Sequence, residues 1–436
     1  MDKMLEKIFK IAAHGSTPRR EVMAGATTFL TMAYIIFVNP EILSMAGMEK
    51  GALITATCLA AAFGTLLVGL WANVPFAMAP GMGLNALFTF TLVKTQGLSW
   101  QTALGVVFFS GVIFLILTVV GFRQRVVDAI PMSIRLAVAA GIGLFLTIIG
   151  FENLGLVVDH PVTLVTIGEI TRPVLLGLIG LVIMAVLHVR KIPGAILLGI
   201  LVVTVLGFIT GDVALPKEVI SAPPSLSSIA FQLDLRGALT WGLFGAIFSF
   251  MFVDLFDSVG TIVACSYEAG LVNEEGGIEK IDKVLEADAI ATVAGSLMGT
   301  STTTTYIESG SGISAGGRTG LTAVTVAGFF LLALIFTPLV GVVPKFATAP
   351  ALIMVGIFMF KNVSRIDFSD FETAVPAFLT MVLMPLTYSI SIGLIFGFLS
   401  YIIITVASGD ILKIRPVMWL IGLLSLTNLL VQAGII

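Results

Sequence analysis

The sequence has few charged residues for its length of 436. Charged side chains make up 11% of it, 23 lysines and arginines against 26 aspartates and glutamates, whereas a soluble domain carries about 25%. So few charges cannot cover the surface of a water-soluble globule of 46.0 kDa, which excludes that class. The formal net charge of −3 also excludes a basic field for nucleic acid.

Cysteine and histidine are equally scarce, with 2 and 3 residues. Cys58 and Cys265 lie in apolar runs without metal-ligand spacing, so we expect neither a disulfide framework nor a zinc site, and no cofactor. The histidines fall at the ends of apolar runs or in loops, so none is available as a proton relay inside a membrane. The N-terminal segment lacks the pattern of a cleaved signal peptide.

Hydrophobic residues are abundant, at 57% of the chain with a mean hydropathy of +1.08. A helix that crosses a bilayer needs roughly 20 mostly apolar residues. Fourteen runs approach that length, which predicts an all-α polytopic membrane protein. The predicted spans are 22–43, 51–73, 78–93, 100–121, 131–150, 173–189, 193–211, 239–265, 285–299, 302–317, 319–340, 346–360, 372–387 and 389–408.

The distribution of basic residues predicts the orientation of these spans. With the N-terminus in the cytoplasm, most lysines and arginines fall in cytoplasmic loops, as the positive-inside rule requires. We therefore predict a multi-pass protein of the cytoplasmic membrane. A further apolar run, 417–436, is either an interfacial helix or a fifteenth span.

The spans fall into two sets of seven, separated by a proline-containing polar stretch. An odd number of spans per set gives the two sets opposite orientations, which is the parity of an inverted repeat. The predicted organisation is a cytoplasmic N-terminal segment (1–20), a first repeat (21–212), an extracytoplasmic linker (213–237), a second repeat (238–409) and a C-terminal segment (410–436).

Spans three and ten are short, rich in glycine and in corresponding positions of the two repeats. Span three contains APGMGLNALFTF and span ten contains TTTTYIESGSGISAGG. The β-branched run at 302–306 predicts a short extended segment rather than helix. Interrupted spans in matching positions indicate a binding site near the middle of the membrane.

Four acidic residues lie far from any predicted membrane surface. Asp254 and Asp257 are spaced i, i+3 in span eight, which places them on one helix face. Asp288 lies in span nine and Glu308 in span ten. An acid inside a span costs several kcal/mol and indicates function by default. A lone acid could instead cap a helix or bond a hydroxyl, but four in consecutive spans favour a site.

Spans three, eight, nine and ten contain no lysine or arginine away from their ends, so a fixed anionic substrate would lack a partner. Because desolvation disfavours the ionised form of a carboxyl, these acids can take and release protons. The pattern indicates a neutral substrate rich in hydrogen-bonding groups and coupling to protons. Carboxyls can pair with adjacent ring N–H and acceptor groups, an edge that planar nucleobases present.

Other polar residues of the broken spans have two interpretations each. Asn85 could cap a helix or contact a ligand. Gly83 could serve tight helix packing or let the backbone approach a ligand. Tyr306 could stack on a flat ring or pack as an ordinary aromatic. The Asn39-Pro40 pair is predicted to end span one.

Three strings in this chain resemble motifs of a known transporter family. They are GMGLNALFTF, FVDLFDSVGT and EADAIATVAGSLMGTSTTTTYIESGSGISAGGRTGL. They are similar to those of nucleobase permeases of the xanthine/uracil permease superfamily, in its adenine/guanine/hypoxanthine (AzgA-like) branch. The resemblance runs from about Glu21 to Gly409.

This resemblance implies a fold of two inverted seven-span repeats. Spans one to four and eight to eleven would form a core domain, and the other spans a gate domain that mediates a homodimer. Spans three and ten would each hold a short strand that leads into a half-helix, with the base bound between them and span eight. Proton symport is the coupling that the family implies.

The resemblance also implies roles for single residues. Asp257, aligned on Gly260, matches the family's span-eight carboxylate, with Asp254 one turn earlier as a second functional acid. The implied substrate-binding set is Asp254, Asp257, Glu308, Asn85, Gly83, Tyr306 and Ser309, and the implied proton-coupling set is Asp257, Asp254 and Asp288.

Two departures from the family patterns narrow the substrate. Ser309 stands where the xanthine and uracil branches have asparagine, and Thr261 stands where the uracil branch has histidine. The chain is therefore expected to be a proton-coupled symporter that imports purine nucleobases (guanine, hypoxanthine, and adenine as a further candidate) and not an enzyme. The alternatives are a uracil or xanthine carrier, an anion carrier of the same fold, a passive pore, and an intramembrane aspartyl enzyme.

Overall fold

Helices form almost all of the regular structure in a computed structural model that describes residues 2–121, 129–216, 218–272, 278 and 280–432. In the first half the elements are α1 Asp2–Phe9, α2 Pro18–Met32, α3 Ile35–Ser44, α4 Lys50–Trp71, β1 Met78–Pro80, α5 Met82–Ala86, a π-helical segment Leu87–Thr95, α6 Trp100–Val119, α7 Met132–Leu154, β2 Val157–His160, β3 Leu164–Ile167, α8 Arg172–Val189 and α9 Ala195–Thr210.

The second half consists of helices on both sides of one short strand. Its elements are α10 Leu235–Ala238, α11 Phe244–Ala269, α12 Ile281–Met298, β4 Thr303–Thr305, α13 Ser309–Ser314, α14 Gly320–Ala333, α15 Thr337–Gly341, α16 Lys345–Phe360, α17 Phe371–Leu386, α18 Ile390–Ala407 and α19 Pro416–Gln432. Single 3₁₀ turns occur at Ala12–His14, Trp241–Leu243, Leu334–Phe336, Lys361–Arg365 and Ile411–Lys413.

The helices have the length and composition of a membrane protein. Within the described ranges, nine helical stretches are long and apolar enough to cross a bilayer, and three shorter apolar helices accompany them. The predicted class, an all-α polytopic membrane protein, is confirmed. The number of fourteen spans stays a prediction.

Span one is divided into two helices rather than one. Helix α2 ends at Met32 and α3 begins at Ile35, with Tyr34 between them. The prediction that Asn39-Pro40 ends this span is wrong, because α3 continues through both residues to Ser44. Proline in a helix removes one backbone hydrogen bond, and Asn39 is held there by its own buried side-chain contacts.

The short strands predicted in spans three and ten are confirmed, and they pair with each other. Strands β1 and β4 are antiparallel, with Met78 opposite Thr305 and Pro80 opposite Thr303. Both strands are fully buried. Each leads into a short helix, α5 or α13, so the two broken spans meet end to end at this ribbon.

Threonine hydroxyls complete the outer edges of this ribbon. Thr65 on α4 accepts from the Met78 N–H at 2.9 Å and donates to the Met78 carbonyl at 3.0 Å. Thr292 on α12 accepts from the Thr303 N–H at 3.2 Å and lies 3.2 Å from the Thr303 carbonyl. Because backbone groups cannot remain unsatisfied in lipid, these hydroxyls, one on α4 and one on α12, replace the neighbouring strands of a wider sheet.

The polar stretch after α7 contains a second hairpin. Strands β2 and β3 pair from Val157 opposite Ile167 to His160 opposite Leu164. Most of their side chains are exposed. This hairpin lies far in sequence from the four acids predicted inside spans eight, nine and ten.

The C-terminal helix α19 packs antiparallel to α18. Gly422 lies against Ile402 of α18, and Asn428 lies against Gly245 of α11. Asn428 and Ser391, at the start of α18, both line a cavity of about 450 Å³. Helix α19 therefore runs beside α18 in the opposite direction.

Close helix packing depends on glycine where α4 meets α14. A Cβ added at Gly320 would lie 1.8 Å from the carbonyl oxygen of Gly69. The Gly320 N–H also donates to Asn73 Oδ1 at 2.8 Å. A side chain at position 320 can therefore be accommodated only if the two helices separate.

We predict that Gly320→Ala destabilises the fold by about 1–3 kcal/mol, as overpacking of a close contact does. The matched control is Gly328→Ala in the same helix, where an added Cβ meets no atom within 4 Å. Thermal unfolding in detergent should show a lower midpoint for the first variant only. Equal midpoints would contradict the packing described here.

Candidate substrate site

The four predicted acids lie together beside the β1–β4 ribbon. Asp254 and Asp257 come from α11, Asp288 from α12, and Glu308 immediately precedes α13. Asp254 interacts electrostatically with Asp288 and with Asp257, and Asp257 interacts with Glu308. The structure therefore brings together residues that are up to 54 positions apart in sequence, from 254 to 308.

Asp288 is fully buried and saturated with hydrogen bonds. Its Oδ1 accepts from Ser258 Oγ at 2.9 Å. Its Oδ2 accepts from the Thr305 N–H at 2.9 Å and from Thr305 Oγ1 at 3.0 Å. These contacts fix the end of β4, so the side chain expected to take part in proton coupling holds the ribbon in place.

Asp254 is also fully buried but only half satisfied. Its Oδ2 accepts from Thr292 Oγ1 at 3.0 Å, the same hydroxyl that completes the edge of β4. Among the described residues its Oδ1 has no hydrogen-bond partner. Asp254 is thus linked to the ribbon through Thr292 of α12, and its Oδ1 can still accept a hydrogen bond.

Asp257 and Glu308 differ from these two acids because their side chains are only partly buried. Glu308 Oε1 accepts from the Tyr34 hydroxyl at 2.5 Å. Within the described part of the chain, Asp257 receives no hydrogen bond. These two carboxyls are thus the members of the cluster with unused acceptor capacity and an accessible surface.

Two buried acids elsewhere have hydrogen-bond or ion-pair partners for their charge. Glu21 accepts from the Arg318 and Thr319 N–H groups at 3.1 and 3.2 Å and from Thr322 Oγ1 at 2.6 Å. Glu41 forms an ion pair with Lys50 at 2.6 Å. Burying a charge without such partners is costly, and Asp257 and Glu308 have fewer partners than these acids.

Asn85 belongs to a buried amide network. Its Nδ2 donates to Asn39 Oδ1 at 2.6 Å, and its Oδ1 accepts a short hydrogen bond from Ser301 Oγ. The helix-cap interpretation is wrong, because the N-cap of α5 is Gly81 and Asn85 is a later residue of that helix. The amide ties span one to both broken spans and is fully buried.

Three more residues of the predicted set make structural contacts. The Tyr306 hydroxyl donates to the Pro80 carbonyl at 2.5 Å, and Ser309 Oγ accepts from the Ala77 N–H at 3.0 Å. Both contacts join one broken span to the other. At Gly83, an added Cβ would lie 2.6 Å from Ile142 Cγ2 of α7, so this glycine permits close packing.

The contacts that Tyr34, Asn39 and Arg135 make near these acids are not evident from the sequence. Tyr34 lies in the apolar run AYIIFV, where an aromatic residue carries no separate signal. Arg135 on α7 lies with its Cζ 6.0 Å from the ring centroid of Phe256, the residue before Asp257. Because Arg135 lies near the start of the predicted span 131–150, its sequence position does not indicate that it adjoins the acids.

Comparison with known proteins identifies the family. Residues 19–434 match the model of a permease family, Xan_ur_permease. The chain is 46% identical over 422 residues to the adenine permease AdeP of Escherichia coli K12, covering 97% of this chain and 95% of that protein. It is 43% identical over 427 residues to the guanine/hypoxanthine permease PbuG of Bacillus subtilis 168, covering 95% and 97%.

The chain therefore belongs to the xanthine/uracil permease family, and the resemblance inferred from its motifs is confirmed. It is a multi-pass membrane permease and not an enzyme. Among solved structures, the transmembrane domain of the cyanobacterial bicarbonate transporter BicA has a TM-score of 0.63 at 16% identity, covering 87% of this chain and 97% of that chain. This likeness shows the fold.

The two kinds of acid should respond differently to substitution. We predict that Asp288→Asn lowers the unfolding midpoint in detergent, because an amide cannot accept from Ser258 and from both donors of Thr305. The loss should be about 1–3 kcal/mol, the cost of leaving buried donors unpaired.

Asp257→Asn is the matched comparison, because it removes no hydrogen bond seen in the described residues. Its midpoint should stay near that of the wild type. If both variants unfold at the same temperature, Asp288 is not the anchor of β4.

Proposed function

We propose that this chain imports purine nucleobases across the cytoplasmic membrane, with guanine and hypoxanthine as the first candidates and adenine as the next. The names of the relatives, which include an adenine permease and a guanine/hypoxanthine permease, support this substrate class. The observation that carries the proposal is the pair of partly accessible carboxyls, Asp257 and Glu308, at the junction of two broken spans.

The chemistry of these carboxyls suits a purine edge. An ionised carboxylate only accepts hydrogen bonds, on two oxygens. On the edge of its six-membered ring, guanine presents a ring N–H next to an amino N–H. Hypoxanthine presents only the ring N–H on that edge. We propose that Glu308 accepts from this edge and that Asp257 approaches the ligand from α11. The pocket would then be shaped by the contacts described above for Tyr306, Ser309, Gly83 and Asn85.

Alternating access would follow from the arrangement of the broken spans. In this proposal the core domain of spans one to four and eight to eleven carries the ligand, and the remaining spans form the gate. The contact of Gly83 with Ile142 joins these two parts. Inverted-repeat carriers expose a fixed midplane site by rocking one part against the other.

We further propose that a proton accompanies the substrate. Asp254 and Asp257 have no ion-pair partner among the described residues, and a carboxyl in such surroundings can be carried neutral. Protonation on the outer side and release on the inner side would couple loading to the proton gradient. The cytoplasmic N-terminus and the homodimer remain predictions of the same proposal, as does the placement of the C-terminal segment as an interfacial helix or a fifteenth span.

An anion carrier of the same fold is the principal alternative, because BicA is a bicarbonate transporter. Such a carrier needs a cationic site, whereas this cluster contains four carboxyls. Arg135 lies beside the ring of Phe256. The acidic character of the cluster favours a neutral ligand with N–H donors.

Glu308→Gln should reduce uptake of radiolabelled guanine and hypoxanthine at least tenfold, because an amide replaces a two-oxygen acceptor with one acceptor and one donor. The assay uses cells that lack their own purine permeases. Glu169→Gln, at an exposed loop position, is the control and should transport normally. Normal uptake by Glu308→Gln would remove Glu308 from the site.

Coupling is tested by the same assay under two ionic conditions. Collapse of the proton gradient by a protonophore should abolish accumulation of the labelled purine, and replacement of sodium by potassium should have no effect. Uptake that depends on sodium and survives the protonophore would reassign the acids as cation ligands.

A further inference from the structure

Tyr34 occupies the gap in span one at the level of the substrate site. Its side chain is fully buried, and its hydroxyl donates to Glu308 Oε1 at 2.5 Å. Helix α2 ends two residues before it and α3 begins one residue after it. The two residues are separated by 274 positions in sequence, so the contact is a product of the fold.

The surroundings hold Tyr34 firmly against Glu308. On one side of the gap, α2 packs against α13, and a Cβ at Gly312 would lie 2.0 Å from Thr28 Oγ1 and 2.6 Å from the Ala24 carbonyl. On the other side, Asn39 of α3 is bonded to Asn85. Span one is thus fastened to both broken spans, above and below the tyrosine.

The hydrogen bond constrains the carboxyl in a specific way. Tyr34 occupies one acceptor position on Oε1 and leaves Oε2 and the second lone pair of Oε1 for other donors. It is the side chain that donates to Glu308 within the described ranges. Without it, rotation about the terminal torsion of the glutamate, which is broad, would be less restricted.

We propose that Tyr34 is a positioning residue that sets the preference among purines by fixing the plane of the Glu308 carboxyl. This inference rests on the proposed function. A ligand with two adjacent N–H donors, such as guanine, needs both carboxylate oxygens in one fixed plane. A ligand with a single N–H donor on that edge, such as hypoxanthine, tolerates a rotated carboxyl. Removal of the hydroxyl therefore costs guanine more than hypoxanthine.

The test is Tyr34→Phe, which removes one oxygen and keeps the ring. Competition of unlabelled guanine and hypoxanthine against labelled hypoxanthine gives an inhibition constant for each. We expect the constant for guanine to rise about tenfold, near the lower end of the range for loss of a hydrogen bond to a charged group, and that for hypoxanthine to rise about threefold or less. The ratio of the two constants is the decisive quantity.

Tyr401→Phe is the matched control, since it makes the same chemical change on α18. The Tyr401 hydroxyl makes no hydrogen bond to the residues that the structure describes, so both constants should equal those of the wild type. An unchanged ratio in Tyr34→Phe, or an equal rise for both purines, would overturn the role in specificity and leave Tyr34 with a structural one.

A second pair of variants keeps the test decisive if Tyr34→Phe does not accumulate in the membrane. Tyr34→Gln retains a donor, and Tyr34→Leu has a similar size without one. The glutamine variant should discriminate in favour of guanine more strongly than the leucine variant. Failure of all three variants to accumulate would assign Tyr34 to folding and overturn the proposal.

The outcomes also separate this inference from the proposed function. A wild-type chain that takes up neither purine refutes the proposed function itself. A wild-type chain that takes up both, together with a Tyr34→Phe variant of unchanged preference, refutes only the role of Tyr34.

Discussion

The pairing of β1 with β4 is the interaction on which the rest of this structure depends. A strand inside a bilayer exposes backbone groups that lipid cannot satisfy, so neither broken span is stable alone. Their antiparallel pairing, completed at the two edges by Thr65 and Thr292, satisfies the backbone groups of both strands at once. The half-helices that follow, α5 and α13, are thereby brought to one place. The candidate site is a consequence of this pairing.

The acids of the cluster divide according to their distance from that ribbon. Asp288 and Asp254 are bonded to the threonines that define β4 and its edge, so their first role is to hold the ribbon. Asp257 and Glu308 lie where the packing ends, with acceptor capacity that the described residues leave unused. The four acids therefore serve two purposes, and only their hydrogen-bond partners distinguish the two kinds.

The sequence predicted a large part of this arrangement. Span composition, the strands in spans three and ten, and the four acids follow from local rules on hydropathy, β-branching and the cost of buried charge. The partners of those acids do not follow, because Tyr34 reaches Glu308 across most of the chain and an aromatic residue in an apolar run looks like packing. Asn85 was likewise recognised as polar and central, but its partners Asn39 and Ser301 become evident only in three dimensions.

The central claim is that a purine binds where Asp257 and Glu308 leave acceptors unused beside the ribbon. A structure of the chain in lipid nanodiscs with guanine bound tests it most directly. The account predicts ligand density between α11 and the start of α13, with ring N–H groups about 3 Å from a Glu308 carboxyl oxygen. Guanine bound elsewhere, for example in the cavity beside Asn428 and Ser391, with no ligand at the acid cluster, would contradict it.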